Sequence, residues 1–323
     1  MIKKNILFLL LMSCSVIIFA QQSAQYTSYM LDPVRYNSAY AGLDYGLSLT
    51  GTFRQQWAGL EGAPQSTRLS AHMPLYFLQG GIGIQVESES LGAHAFNAAQ
   101  LDYNYQREIG SGVLSIGLGL GIHQFKLNGG QLITPDGQYL GPGMINHNDG
   151  LLSTASVSGT SIGLDAGLYY QSELFDIGFS IENTTAASVQ LGDLNYQFVK
   201  TYHAFAATEF ELGSSFVIRP SLWFRTDAIE NQLDISVLTT YNDNIFGGVS
   251  LRGYDKSTRD ALAVIVGFKL SETLTLAYAY DIALSPLQTV QSGSHEIVMK
   301  YQLDKTIGAG KLPRIIYHPR AKN

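Results

Sequence analysis

Charged side chains are scarce in this sequence. Asp, Glu, Lys and Arg together make up 14% of its 323 residues, whereas soluble domains carry about 25%. Beyond position 20 the chain also lacks an uninterrupted apolar run of roughly 18 residues, which excludes transmembrane helices. Low charge without an apolar helix favours strands that present one apolar face. The formal net charge of −6 disfavours nucleic acid as a partner.

Cysteine is nearly absent, and Cys14 is the single example. It lies in residues 1–20, which have the features of an export signal: two lysines, an apolar stretch and a small residue at position 20. We therefore predict a signal peptide over 1–20 and a mature chain that begins near Gln21. The mature chain would contain no disulfide, thiol nucleophile or cysteine-ligated metal.

From Gly46 onward, apolar residues alternate with small or polar ones. A period of two places neighbouring side chains on opposite faces of a strand, so that Leu276, for example, faces one way and Thr275 the other. About fourteen such segments occur, near the ~10-residue length of tilted membrane strands. They are predicted to begin near residues 46, 66, 79, 94, 111, 160, 174, 200, 215, 230, 244, 259, 273 and 293. The pattern predicts an all-β fold, a transmembrane outer-membrane β-barrel of about 14 antiparallel strands over residues 46–303.

The predicted connections alternate between tight and long. Tight ones fall at 108–111, 171–174, 212–215, 241–245 and 270–273, and long ones at 55–65, 125–159, 183–199 and 282–292. A barrel with both termini in the periplasm has short periplasmic turns and longer external loops. We therefore expect an integral outer-membrane protein with periplasmic termini and external long loops.

Two segments flank the predicted barrel. Residues 21–45 are expected to form an N-terminal periplasmic or lumenal segment, and residues 304–323 a basic C-terminal periplasmic tail with five Lys or Arg against one Asp. Such a tail could dock a periplasmic partner or acidic lipid headgroups, and a solvated end is an equal alternative. Its apolar residues 315–317 are too short to span a membrane and could add as a strand to a partner's sheet.

Patterns that carry catalysis or bind cofactors are weak. The sequence Gly308–Lys311 lacks both the first glycine and the hydroxyl residue of a phosphate loop. Gly117, Gly119 and Gly121 alternate inside a strand, where they make room in the lumen or permit curvature. The loop Asn146–Gly150 lacks the terminal Glu of a calcium loop. We therefore predict no enzyme, no cofactor and no metal site.

Aromatic residues fall near the predicted strand ends, where amphipathic rings suit the interfacial girdles of a barrel. Packing in a core or at a rim is the alternative. The aromatic residues concerned are Tyr103, Tyr105, Tyr169, Tyr170, Tyr202, Trp223, Tyr241, Tyr254 and Tyr301.

Several short motifs occur in a specific order. They are Gln25–Pro33, Asn37–Gly42, Arg54–Gly59, Gly62–Pro64, Leu69–Pro74, Tyr278–Asp281, Ser292–Ile297 and His318–Arg320. In this order they resemble the PorP/SprF membrane proteins of the type IX secretion system of Bacteroidetes, over nearly the whole mature chain. Ser38 stands where that family usually has Pro.

The resemblance implies a barrel without catalysis that assists the export and surface display of a secreted protein, including gliding adhesins. The implied partners are the periplasmic ring and peptidoglycan-associated components of the machine, the exported protein or adhesin, and outer-membrane lipid. The alternatives are an outer-membrane diffusion channel or small-solute transporter, and a lipid-modifying barrel enzyme. The candidate partner-docking residues are Tyr29, Pro33, Asn37, Tyr40, Trp57, Arg314, Ile315, Ile316, Tyr317 and Arg320.

Overall fold

The computed structural model describes residues 25–139, 145–254 and 259–303. Within these ranges the chain forms nineteen strands. They are β1 (Leu47–Gln55), β2 (Gln65–Leu75), β3 (Gly80–Leu91), β4 (His94–Ile109), β5 (Gly112–Asn128), β6 (Gln138–Tyr139), β7 (Ile145–Asn146), β8 (Ser156–Ser172), β9 (Phe175–Glu182), β10 (Ser188–Leu191), β11 (Leu194–Gln197), β12 (Thr201–Thr208), β13 (Phe210–Leu212), β14 (Phe216–Thr226), β15 (Asn231–Tyr241), β16 (Ile245–Arg252), β17 (Ala261–Lys269), β18 (Leu274–Ala283) and β19 (Ser294–Leu303).

The strands form a closed antiparallel barrel with fourteen strand positions. The first strand pairs with the last, from Leu47 opposite Leu303 to Gln55 opposite His295. At one position the strand is split into β12 and β13, and both halves pair with β14. Closure leaves no sheet edge, so the backbone groups of the wall can be paired within the wall. No helix among the described residues is long and apolar enough to cross a membrane.

The predicted strand positions are confirmed. Every barrel strand begins within about two residues of its predicted start except β8, which begins at Ser156 rather than near 160. The hairpins β6–β7 and β10–β11, which lie in the two longest connections, were not predicted. We call the barrel end with connections such as 110–111 and 173–174 the tight-turn end, and the opposite end, which holds residues 56–64 and 183–200, the long-loop end.

The two faces of the wall have opposite character. Outward side chains of β5 such as Leu118 and Leu120 are 56% and 57% exposed, whereas inward Arg54 and Glu296 are 2% and 0% exposed. In β18, Ala277, Ala279 and Asp281 are buried inside the barrel, which confirms the predicted alternation. The molecule is therefore apolar where it faces outward and polar where it faces the lumen, as a membrane barrel requires.

Residues 25–45 pack inside the barrel, and we call them the plug. They form three short 3₁₀ turns, at Tyr29–Leu31, Pro33–Arg35 and Ser38–Tyr40. The fixed φ of Pro33 suits the first position of its turn. The Asn37 side chain accepts the Ala39 N–H at 3.0 Å and so caps the third turn. The main buried apolar clusters of the molecule lie where the plug meets the wall.

Two of the predicted girdle residues lie inside the barrel instead. Tyr169 is 1% exposed and Trp223 is 2% exposed, because both share the inward face of their strands, Trp223 with Ser221 and Arg225 for example. The prediction was wrong for these two. Exposed side chains are found at Tyr103, Tyr105, Tyr202, Tyr241, Tyr254 and Tyr301.

Candidate functional site: a plugged lumen with a cavity at one end

The plug runs along the lumen between the two ends. At the tight-turn end, the Tyr45 hydroxyl donates to Gln171 Oε1 at 2.8 Å, and Lys300 Nζ lies 2.8 Å from Asp44 Oδ2. Farther along the lumen, the backbone N–H groups of Thr27 and Ser28 donate to the Glu296 carboxylate at 2.8 and 2.9 Å. Gln25 lines a cavity in the long-loop half. The described N-terminal end therefore lies inside the barrel and not beyond its tight-turn end.

Buried ion pairs surround the beginning of the plug. Arg54 donates to Asp281 at 2.7 Å and to Glu296 at 3.0 Å, and Arg252 lies 3.3 Å from the same Asp281 oxygen. The Thr27 hydroxyl donates to Asp281 at 2.7 Å and accepts from Arg54 at 3.0 Å. Each buried charge thus has an opposite charge and further hydrogen bonds, which burial demands. The network joins the plug to β1, β16, β18 and β19.

A second set of ion pairs holds the middle of the plug. Arg35 lies 2.9 Å from Glu182 and 3.3 Å from Glu87. Arg68 lies 3.4 Å from both Glu87 and Asp32. The hydroxyl of Ser70, on the next inward position of β2, donates to Asp32 at 2.9 Å. Charges from the plug and the wall alternate here, so each compensates the buried charge of the other.

Wall amides pair with the plug backbone. Asn104 Nδ2 donates to the carbonyl oxygens of Ser38, Ala39 and Ala41 at 3.2, 3.0 and 2.7 Å. Gln85 Nε2 donates to the Val34 carbonyl at 2.9 Å. Short turns leave many backbone groups without partners of their own, and buried groups need them. The wall thus supplies hydrogen bonds that a longer helix would make internally.

Glycines make room for the plug. A Cβ at Gly117 would overlap the backbone of Ala39, and one at Gly167 would overlap the Asn37 side chain. The prediction that Gly117 makes space in the lumen is confirmed.

Aromatic rings fill the remaining space beside the plug. The Tyr36 ring lies 4.3 Å from Trp223, and the Tyr29 ring lies 5.3 Å from it. The His203 ring stacks on Trp223, with centroids 5.6 Å apart. Together with the glycine contacts, this packing closes the lumen around residues 29–41.

A cavity of about 810 Å³ remains in the long-loop half of the lumen. Its floor includes Arg35 of the plug, and loop residues such as Trp57 line its rim. One wall, from β4, β5, β11 and the residue after β11, is aromatic, and its rings are Phe96, Phe125, Tyr196 and Phe198. The opposite wall, from β14 to β18, is charged and polar and includes Arg225, Arg252, Asp260 and Asp281. Burial raises the pKa of the Asp260 carboxyl, in the loop after β16, above its usual value.

The predicted docking residues fall into three groups. Tyr29, Pro33, Asn37 and Tyr40 are buried in the plug and contact the wall. Trp57 is partly buried at the cavity rim, where its backbone N–H donates to Ser294 Oγ at 3.1 Å. Their role in partner docking stays a prediction. The tail residues Arg314, Ile315, Ile316, Tyr317 and Arg320 lie outside the described residues.

Sequence reasoning missed the wall residues that hold the plug. Asn104, Arg54 and Glu296 were not proposed as contacts of the N-terminal segment. The sequence does mark them, since each is a polar side chain on the inward face of a predicted strand. Their partner could not be found from sequence, because it lies up to 269 positions away. Within the described ranges, no group of three or more His, Cys, Asp or Glu side chains could hold a metal ion.

These features define the chain as an integral outer-membrane β-barrel whose lumen is partly filled by residues 25–45 of the same chain. The family model for the type IX secretion system membrane protein PorP/SprF matches residues 18–301. The chain belongs to that family, which confirms the resemblance seen in the motifs.

The barrel is also similar to solved structures of other barrels. The Ralstonia pickettii toluene transporter TbuX has 12% identity and a TM-score of 0.52, over 85% of this chain and 92% of that one. The Acinetobacter baumannii outer membrane protein Omp33 has 7% identity and a TM-score of 0.47, over 80% of this chain and 98% of that one. At such identity, the TbuX likeness shows the fold alone. No curated protein sequence matches the chain significantly.

Proposed function

We propose that this chain is a non-enzymatic scaffold of the type IX secretion machine. It fixes a position in the outer membrane and holds an exported protein, such as a gliding adhesin, at its long-loop end. The observation that carries this proposal is the plug, because a lumen closed around residues 29–41 by side chains of the same chain is poorly suited to diffusion. The alternative of an open solute channel has correspondingly less support.

The two barrel ends differ in what they offer a partner. The long-loop end has the cavity, the rim with Trp57 and the β10–β11 hairpin, whereas the tight-turn end has short connections. Loops carried by a rigid scaffold are the usual place for binding residues. We assign the exported protein to the long-loop end on the cell surface, and the periplasmic ring components to the other end and the basic tail.

Affinity purification from detergent-solubilised outer membrane tests this assignment. Replacing residues 56–64 by a Gly-Ser linker should lose the exported protein, whereas a matched replacement of the tight turn 242–244 should keep it. Deletion of Leu312–Asn323 should lose periplasmic components and keep a folded barrel.

Heat-modifiable migration on gels reports whether each variant still forms a closed barrel. Retention of the exported protein by the folded 56–64 variant would contradict the assignment of the long-loop end. Retention of the periplasmic components by the truncated chain would move their docking site to other parts of the protein.

A further inference from the structure

Strands β5 and β8 continue beyond the closed part of the wall at the long-loop end. β8 pairs with β5 over residues 156–172, but with β9 only over residues 166–171. Beyond that pairing, the Thr184 N–H donates to the Leu164 carbonyl at 2.8 Å. No strand among the described residues pairs with residues 156–162 on this side. These residues therefore form a sheet edge, which we call the β8 edge.

The β8 edge presents backbone groups without partners. Alternate residues of an antiparallel strand direct their N–H and C=O groups to opposite neighbours. Because the Leu164 carbonyl points to the β9 side, every second residue before it does the same. Within the described ranges, these residues have no hydrogen bond on that side, and they are Ser156, Ser158, Thr160 and Ile162. Each offers one donor and one acceptor to an added strand.

The β8 edge lies outside the apolar band of the outward face. In the register of β3, β4, β5 and β8, Ile162 shares a row with Ile122 and Val86. The next row toward the long loops is polar throughout and consists of Ser88, Asn97, Gln124 and Thr160. Unpaired backbone is costly in hydrocarbon, and β8 loses its neighbour where the apolar band ends. Positions 156–160 therefore lie in water, where a protein partner can reach them.

The β8 edge also lacks the features that protect sheet edges. Natural edges are shielded by charged side chains, proline or bulges, because a bare edge is a template for pairing with another chain. Residues 156–163 contain no charged residue and no proline, and they pair with β5 without a bulge. A continuous, unprotected edge suits the addition of a strand from a partner.

The projecting part of β8 is held in place from inside. The β10–β11 hairpin packs on its inward face, where a Cβ at Gly159 would overlap Val189. Val157 packs against the same buried cluster, which includes Phe125. An edge that is already fixed loses little conformational freedom when a strand is added, and this favours binding.

We propose that the β8 edge binds an extended segment of the exported protein, which adds to β8 as an antiparallel strand. Backbone hydrogen bonds supply the affinity. Side chains of the segment that face inward lie beside Val157 and are apolar, whereas those that face outward lie beside Ser158 and Thr160 and are polar. The identity of the polypeptide rests on the proposed function, whereas the edge site rests on β8 itself.

A second copy of this chain fits the β8 edge less well. Copies in one membrane share one orientation, so their β8 strands run in the same direction. Two such edges can pair only in parallel, and parallel pairs are less stable per residue. The exported protein, by contrast, is the partner that the proposed function places at the long-loop end.

The test measures peptide binding to the purified full-length protein in detergent by fluorescence anisotropy. The probe is a labelled nonapeptide in which threonine and valine alternate between two terminal lysines, and its control carries proline at the central positions. The control should bind at least about tenfold more weakly, because proline removes backbone donors.

The matching change in the protein is Thr160→Pro, which removes one N–H of the β8 edge and should weaken probe binding about tenfold. Thr160→Val keeps that N–H and should bind as the wild type does. Proline is tolerated where the N–H faces away from the neighbouring strand, so the barrel should still close, as heat-modifiable migration checks. Ser158→Pro replaces Thr160→Pro if the latter does not close.

Equal binding of the two peptides, absence of probe binding, or full binding by a folded proline variant overturns the edge site. A wild-type dimer that the proline variant loses overturns the assignment to the exported protein. If the proline variant loses the probe but still co-purifies the exported protein, this inference fails and the proposed function stands. If the probe binds at the edge but wild-type protein co-purifies no exported protein, the proposed function fails and the edge site stands.

Discussion

The two halves of the lumen are built from the same strands but differ in their inward side chains. In β5, Ser115 and Gly117 face the plug in the tight-turn half, and His123 and Phe125 face the cavity in the long-loop half. β3 changes likewise from glycines at 81 and 83 to Gln85, Glu87 and Glu89, and β1 changes from Ser and Thr to Arg54.

This change in side-chain size determines what each half can hold. Small inward residues let the backbone of the plug approach the wall, so that plug residues such as Ala39 and Ala41 are 0% exposed. Long charged and aromatic residues line a space that the plug borders but does not fill. The tight-turn half therefore resembles a protein core, while the long-loop half resembles a ligand site. Ion pairs mark the boundary between them.

The largest expected effect comes from breaking that boundary at Arg54. Arg54→Ala leaves Asp281 and Glu296 buried with one cation fewer, and we expect a loss of about 3–5 kcal/mol in the free energy of unfolding. Urea titration in detergent micelles measures it. The exposed Arg107→Ala on β4 is the matched control and should change stability by less than about 0.5 kcal/mol. A small effect at Arg54 would mean that the network does not hold the plug.

The next largest loss of stability is expected when a charge is placed on the outward face of the wall. This face is apolar in both halves of the barrel. Leu120 lies at the middle of β5, opposite Leu101 on β4, and is 57% exposed. Leu120→Arg should cost about 2–4 kcal/mol at the bilayer midplane. Leu276→Arg should cost less, because Leu276 lies two residues from the end of β18 at a tight turn.

The matched control for the outward face is Gln100→Arg on the neighbouring strand. Gln100 lines the cavity beside Asp102, to which its Nε2 donates at 2.8 Å, so an added cation there has water and a carboxylate. Folding into lipid vesicles, followed by urea unfolding, measures both variants. Similar losses for Leu120→Arg and Gln100→Arg would contradict the assignment of faces.

The sequence predicted the wall well because alternation is a local property. Each strand shows its period over about ten residues, so the position of the barrel strands and the outward direction of Leu276 could be assigned without tertiary information. The split between β12 and β13 and the two loop hairpins could not, since they lack a long alternating pattern.

The plug and the cavity could not be predicted in this way. Thr27 is held by Asp281 and Glu296, which lie 254 and 269 positions along the chain, and no local pattern encodes such contacts. Alternation also shows that two faces differ without showing which side chains meet a plug. Trp223 was therefore predicted at a membrane interface although it packs against Tyr36.

The smallest expected loss of stability comes from alanine substitutions at two glycines of β5. A Cβ at Gly117 would overlap the Ala39 backbone, which the tight-turn half holds by several hydrogen bonds, whereas a Cβ at Gly121 would meet His123 Nε2 at 3.0 Å. Backbone cannot move aside, but the His123 ring borders the cavity and can. Gly117→Ala should therefore cost about 1–3 kcal/mol by overpacking and make the plug more sensitive to protease, while Gly121→Ala should cost less than about 1 kcal/mol. Urea titration and limited proteolysis measure both, and equal losses would show that the two halves are packed alike.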